Sequence, residues 1–301
     1  MTSASPSNLE PNPEPSLGPL NPGNVVSAAI RLYRDRLKMY LTLSFRAYLW
    51  LFVPIYGWAK YAMHTGVMSR LAVQELMNQP ETPREAYRQI GSKLWAFLGL
   101  GILLLLIFFG AYMAIALVGI LAGVAIGGLA SYLLSALFGE GGSVFAVIVT
   151  VLLVVAAILL ALLWIVGRLI VAEVPMSVEQ RVDPSTSLGR SWQLSKKSIV
   201  RIQFVLVAAY LITLPITLVF GFAPQFVLLA VEPGTPLYWV LYISTLLLSF
   251  VSGIFVLPFW QIVKGVLYYD LRSRREGIDL KLATNTPADV PTDTPPNEPF
   301  Q

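Results

Sequence analysis

Two long apolar blocks, Leu94–Gly167 and Ile202–Val263, contain no Lys or Arg, and basic segments flank each of them on both sides. One helix crosses a bilayer core with about 20 apolar residues, so each block is long enough for more than one crossing. Lys and Arg gather on the cytoplasmic side of membrane proteins, which puts both ends of each block on one side and makes the number of crossings even. The blocks therefore read as helical hairpins, about 94–167 and 199–270. Their outer ends, Phe138–Ser143 and Val231–Pro236, each carry one acid and no cation, as non-cytoplasmic loops do. A shorter and more polar stretch, about 39–77, holds an apolar run interrupted by Arg46, a turn signal at Pro54–Gly57, and a second run carrying Lys60, His64, Arg70 and Glu75. Flanking cations make it a third hairpin, with a re-entrant segment plus an interfacial helix as the alternative. The expected fold is all-α: a polytopic integral membrane protein with six crossings as three helical hairpins, both termini cytoplasmic.

Between the hairpins the period changes to that of short amphipathic helices, about 83–93 and 184–198. Thr82-Pro-Arg-Glu85 is a capping box with Pro at the first helical position, and Asp183-Pro184 is the same kind of start with Asp as the cap. In the first helix Tyr87, Ile90 and Leu94 oppose Glu85, Gln89 and Ser92. In the second, Leu188, Trp192, Ile199 and Ile202 share a side, with Arg190, Lys197 and Arg201 opposite. Such helices lie in the interface with rings in the acyl boundary and cations toward headgroups, which makes Arg190, Trp192, Lys196, Lys197 and Arg201 the lipid-interface candidates. A loop helix packed on the bundle fits the same pattern.

The chain also repeats itself. Arg70-Leu-Ala-Val-Gln-Glu75-Leu, at the end of the first hairpin, matches Arg168-Leu-Ile-Val-Ala-Glu173-Val at the end of the second, and Lys264–Leu271 is a looser third copy. Arg70, Glu75, Arg168 and Glu173 are thus candidates for ion pairs to a neighbouring repeat, with an ion or proton relay as the sharper alternative. Gly119, Gly123, Gly127, Ser131, Ser135 and Gly139 recur at every fourth position, a small-residue stripe that calls for a closely packed partner helix. That partner is either Phe145–Val166 or the same stripe in a second copy. As one helix, Leu94–Gly139 would reach about 69 Å, roughly twice a bilayer core, so a break is expected near Gly119. Pro215 and Pro258 free carbonyls inside apolar helices and are expected to kink them.

Composition supports the membrane reading: hydrophobic residues make up 56%, charged residues 13%, and mean hydropathy is +0.68. There is no Cys, which excludes disulfides, thiolate metal sites and a thiol nucleophile. The net charge of +4 sits beside apolar blocks, where anionic lipid is the nearer counter-charge than nucleic acid. Residues 1–24 and 282–301, rich in Pro with few apolar residues, are expected to be disordered tails, the second one acidic. The single His, His64, has no ligand-spaced Cys, Asp or Glu, although Lys60 lies one turn before it. No phosphate loop, nucleophile elbow or paired carboxylate appears, so no cofactor, metal or catalytic group is expected.

The three hairpins, the segment Pro184-Ser-Thr-Ser-Leu188-Gly-Arg-Ser-Trp192-Gln-Leu194-Ser-Lys196 and the terminal Tyr268-Tyr-Asp-Leu-Arg272-Ser-Arg-Arg275-Glu-Gly277-Ile-Asp-Leu280 resemble a group of uncharacterised bacterial six-helix membrane proteins. That group includes the membrane domain attached to some glycerophosphoryl diester phosphodiesterases. The resemblance covers about Asn24–Leu280 and implies a fold and a bacterial plasma or internal membrane. It implies no phosphodiesterase activity, which belongs to a separate barrel domain with catalytic His and metal-binding carboxylates. The expected function is that of a non-enzymatic scaffold, assembly or regulatory factor working through lipid and helix contacts. Its partners would be anionic lipids and either a second copy or another membrane protein. A transporter or lipid-handling protein is the competing class, and a cavity lined by Arg46, Lys60 and His64 would favour it.

Overall fold

The computed structural model describes residues 22–276, so the two expected tails lie outside the described residues except for 22–24, which open the first helix. The chain forms α1 (Pro22–Asp35), α2 (Leu37–Trp50), α3 (Tyr56–Leu76), α4 (Pro83–Ile90), α5 (Leu94–Phe138), α6 (Glu140–Leu169), α7 (Glu173–Val178), α8 (Pro184–Ser195), α9 (Ile199–Ile216), α10 (Ala223–Leu229) and α11 (Pro236–Glu276). No strand occurs among the described residues. Four helical stretches are long and apolar enough to cross a membrane: Pro83–Phe138, Glu140–Val178, Ile199–Leu229 and Pro236–Arg275. The protein is a multi-pass membrane protein built from helices.

The α2–α3 pair is absent from those four stretches, and its packing explains why. From Met63 to Gln74 every residue of α3 is buried, Arg70 and Gln74 included. A helix buried on all sides is a core element, and its polar groups need partners inside the protein. They find them: Ser69 Oγ donates to Gln261 Oε1 at 3.0 Å, and Arg70 holds Glu81 through two nitrogens while donating to the Ser177 carbonyl. Around α3 lie α2, α4, α7, the first turns of α5 and the last third of α11, with α1 packed on α11 and α9, and the buried apolar cluster is concentrated there. Glycines set the spacing. Gly265 of α11 faces the Ser69 carbonyl and Gly66 of α3 faces the Phe97 ring, positions where an added Cβ would collide.

From this base the long helices extend in two pairs, α5 with α6, and α11 with the α9–α10 arm. The most apolar eighteen residues of α5 are all unburied, as a lipid-facing surface is. The expected break near Gly119 does not occur: α5 runs uninterrupted for 45 residues. The cost of glycine inside a helix is offset by contact, since Gly119 lies against Ile158 and Val154, Gly123 against Val154, and Gly127 against Thr150, all on α6. The turn into α6 is a single residue, Gly139, with φ +69, where glycine carries no steric cost. Pro215 is followed by a wider π-helical segment, Thr217–Phe222, that links α9 to α10, whereas α11 continues through Pro258.

The second amphipathic helix differs from its expected form. The chain turns over Lys196–Ser198, so Ile199 and Ile202 belong to α9 and not to α8. The docked face of α8 is Ser187, Ser191, Leu194 and Ser195, while Trp192 is exposed. Serines at this spacing do what apolar residues could not. Ser187 donates to the Ala172 carbonyl, and Ser191 and Ser195 both donate to the Arg168 carbonyl, supplying partners to the end of α6. Asp183 caps α8 as its position implied, and hydrogen bonds from Thr186 and Ser185 hold its carboxyl below the usual carboxylate range. Thr82 and Glu85 close the reciprocal capping box on α4.

Candidate functional site

A cavity of about 740 Å³ lies where α2, α3, α5 and α11 meet. Its origin is missing volume. Gly101 of α5 would place a Cβ in open space, and Gly253 of α11 gives way to the Tyr48 hydroxyl from α2. Helices α5 and α11 make little contact with one another, so the space between them stays open. The walls are apolar and aromatic, with Trp58, Tyr61, Leu105 and Trp260 among the lining residues. Tyr48 and Tyr61 pack edge to face at 6.0 Å, bracing one side.

Polar groups gather toward one end. Lys264 Nζ meets Glu173 Oε1 at 2.7 Å, each side chain retaining 18% of its exposure. Gln261 and Thr65 complete this end: Gln261 accepts from Ser69, and Thr65 Oγ1 donates to the Ala62 carbonyl. The ion pair is internally neutral, so the cavity sets no strong demand for net charge on what enters it. Pockets that bind small molecules are of this size, mostly apolar, with a few placed polar groups. The chemistry available is binding of an amphiphile. Among the described residues no group of His, Cys, Asp or Glu is gathered as a metal ion would require.

Of the repeat residues singled out from the sequence, Glu173 and Lys264 line this cavity. The repeat positions separate. Arg70 pairs with Glu81 in the loop that follows it, and Glu75 pairs with Arg36 at 2.8 Å. Glu173 pairs with Lys264 of the third copy. Arg168 has no acidic partner among the described residues, contrary to its expected role. Its guanidinium sits between Trp164 and Trp192, 5.0 and 4.9 Å from the ring centres. Of the lipid-interface candidates, Lys196 and Lys197 are exposed, whereas Arg190 meets Glu179 at 3.2 Å and Arg201 meets the buried Asp270 at 3.1 Å. Glu179 also accepts from Tyr268, and Asp270 from Arg274. Gly119, Gly123 and Gly127 face α6, with Ser131, Ser135 and Gly139 continuing the same row toward the turn.

Arg46, Lys60 and His64 do not line the main cavity. Lys60 lies over the Trp50 and Tyr56 rings, and His64 is buried with Nδ1–H donating to the Lys60 carbonyl and its ring edge-on to Tyr87. The residues that sequence reasoning missed are Tyr48, Thr65, Gly101, Gly253 and Gln261. Gln261 alone left a signal, as an amide inside an otherwise apolar run. The chain matches no protein-family model, no curated protein and no solved structure.

Proposed function

We propose that this chain is a non-catalytic, lipid-handling membrane protein that holds an amphiphile, such as a single lipid, in the cavity between α2–α3, α5 and α11. The observation that carries this reading is a cavity of about 740 Å³ with aromatic walls and one polar end, facing the gap between two membrane-spanning helices. The sequence puts first a scaffold, assembly or regulatory factor acting through lipid and helix contacts. Arg46, Lys60 and His64 do not line this cavity, and its aromatic walls and polar end are what support lipid handling. The two roles are compatible, since a bound lipid would also fix the spacing of the helices around it.

The same proposal includes a topology with four crossings, the cation-rich base and both termini on the cytoplasmic side. Phe52, near the tip of the α2–α3 hairpin, stacks on Phe250 at 5.4 Å. That contact falls midway between Pro236 and Lys264 along α11, about 21 Å from either. The hairpin thus enters the membrane to its middle and returns, the re-entrant alternative to a pair of crossings.

Filling the cavity tests the function. Gly101→Phe adds a ring to the cavity wall at a position where a Cβ meets no other atom, and replaces a residue of poor helix propensity. In lipid nanodiscs the wild-type protein should retain a stoichiometric lipid through exchange and washing, read by native mass spectrometry. The variant should lose it while keeping or raising its thermal midpoint. Equal retention by both proteins would defeat the proposal.

A further inference from the structure

A second cleft, about 590 Å³, lies where α1 turns into α2 beside the start of α4. Arg36 breaks the helix there, with φ −123 and ψ 33, and the turn brings Arg34, Arg36, Lys38 and Arg46 around one space, with Thr42 and Pro83 on its walls. Lys38, Thr42 and Arg46 follow at four-residue intervals on one face of α2, an arrangement of cation, hydroxyl and cation along two turns. Against these four cations the lining includes one acid, Asp35. Its carboxylate lies 3.6 Å from Arg34 with both side chains mostly in solvent, where such a pair neutralises little. Arg36 is held by Glu75. Lys38 and Arg46 have no acidic partner among the described residues. One turn into α4, the Tyr87 hydroxyl is buried without a hydrogen-bond partner, and Arg46 lies near enough to act on both Tyr87 and His64.

We infer that this cleft binds a phosphate group, with Arg46 and Lys38 as its principal ligands, Thr42 as a hydroxyl donor, and Arg34 and Arg36 at the rim. With Arg36 held by Glu75 and Arg34 facing Asp35, Lys38 and Arg46 are left unneutralised on one face of the concavity, and a multiply charged oxyanion relieves their repulsion. Arginine's planar fork matches two phosphate oxygens at once, whereas lysine supplies a point charge, and the cleft offers both. Leu43 and Met39 line its inner side, and exposed Phe45 and Leu49 continue outward along α2, a surface along which acyl chains could run. The phosphate could therefore belong to a lipid headgroup or to a soluble phosphate ester. This site is separate from the amphiphile cavity and stands whether or not that cavity is occupied.

The test uses the full chain in nanodiscs of zwitterionic phosphatidylcholine doped with anionic phosphatidylglycerol, with the anionic lipid bound per protein measured after extraction. Arg46→Gln with Lys38→Gln is compared with Arg181→Gln with Arg275→Gln, exposed cations outside the cleft. Enrichment should fall roughly five-fold per cation removed from the cleft and remain for the control pair. Inorganic phosphate, at matched ionic strength against chloride, separates the two sources. If it leaves lipid enrichment unchanged, the phosphate is a headgroup. If it displaces the lipid and raises the thermal midpoint of the wild type but not of the cleft variant, the site takes soluble phosphate. Either result supports the inference. Equal losses from both cation pairs, or none from the cleft pair, would overturn it by leaving only general surface charge. Should the double variant fold poorly, Arg46→Lys keeps the charge and removes the fork, and full enrichment by that variant would likewise count against the site.

Discussion

At the scale of single residues, several unusual contacts concentrate on the α2–α3 hairpin. Ile55 has φ +60 and ψ −69, and the Tyr56 N–H returns to the Pro54 carbonyl at 2.7 Å, a γ-turn that a β-branched residue adopts at a cost. The tip survives because Trp50, Phe52 and Tyr56 pack around it. Gly253 shows the same economy of space on the facing helix. A Cβ there would strike the Tyr48 hydroxyl, so Gly253→Ala should destabilise the protein by about 1–3 kcal/mol, as overpacking does. Adding Tyr48→Leu should restore part of the loss, because the hydroxyl and the ring carbon that bears it are the atoms displaced. Thermal midpoints of the wild type, both single variants and the double variant measure the coupling directly. Additive losses would mean that Gly253 matters for its backbone and not for its contact.

At the scale of elements, helix ends explain the base better than helix faces do. The short α7 is mostly buried, and a buried helix end needs partners for its last carbonyls. Arg70 supplies one to Ser177, and Lys93 supplies two, to Met176 and Glu179, from the start of α5. The serine row of α8 does the same for the end of α6. Ser191→Ala removes the donor without adding bulk at this buried position, so it should cost about 1–3 kcal/mol. Loosening of α8 would show as faster quenching of Trp192 and Trp164 fluorescence, while Lys197→Gln, at an exposed position past the end of α8, should leave quenching unchanged. These elements were only partly legible in the sequence. The long helices were plain because lipid demands long apolar runs. The α2–α3 pair was ambiguous because a buried core helix and a membrane segment with occasional charges share one pattern. Ser187, Ser191 and Ser195 stood at helical spacing, but Leu188 and Trp192 beside them suggested the opposite face. The cavity left no local trace, since Tyr48, Gly101 and Gly253 come from helices far apart in the chain and what they share is absent volume.

At the scale of the whole molecule, the buried core sits at one end and the lipid-facing surface extends from it, so topology follows from which end carries the cations. In a chain with no Cys of its own, Glu140→Cys and Glu232→Cys should react with an impermeant thiol reagent from one side of the membrane and Lys197→Cys from the other. Ile55→Cys should react from neither. Reaction of position 55 together with position 140 would make the first hairpin a full pair of crossings. The base also joins the two ends of the described chain: α1 packs on α11, and the Tyr33 hydroxyl donates to the Phe255 carbonyl, 222 residues away. This has a consequence in time. At about 5–20 residues per second, a ribosome needs on the order of 10–50 s to reach α11 after α1 has emerged. Throughout that interval α3 can already pack on α2, α4, α5 and α7, but the faces of α1, α2 and α3 that α11 covers lack that partner. The part of the chain made first is thus completed only by the part made last.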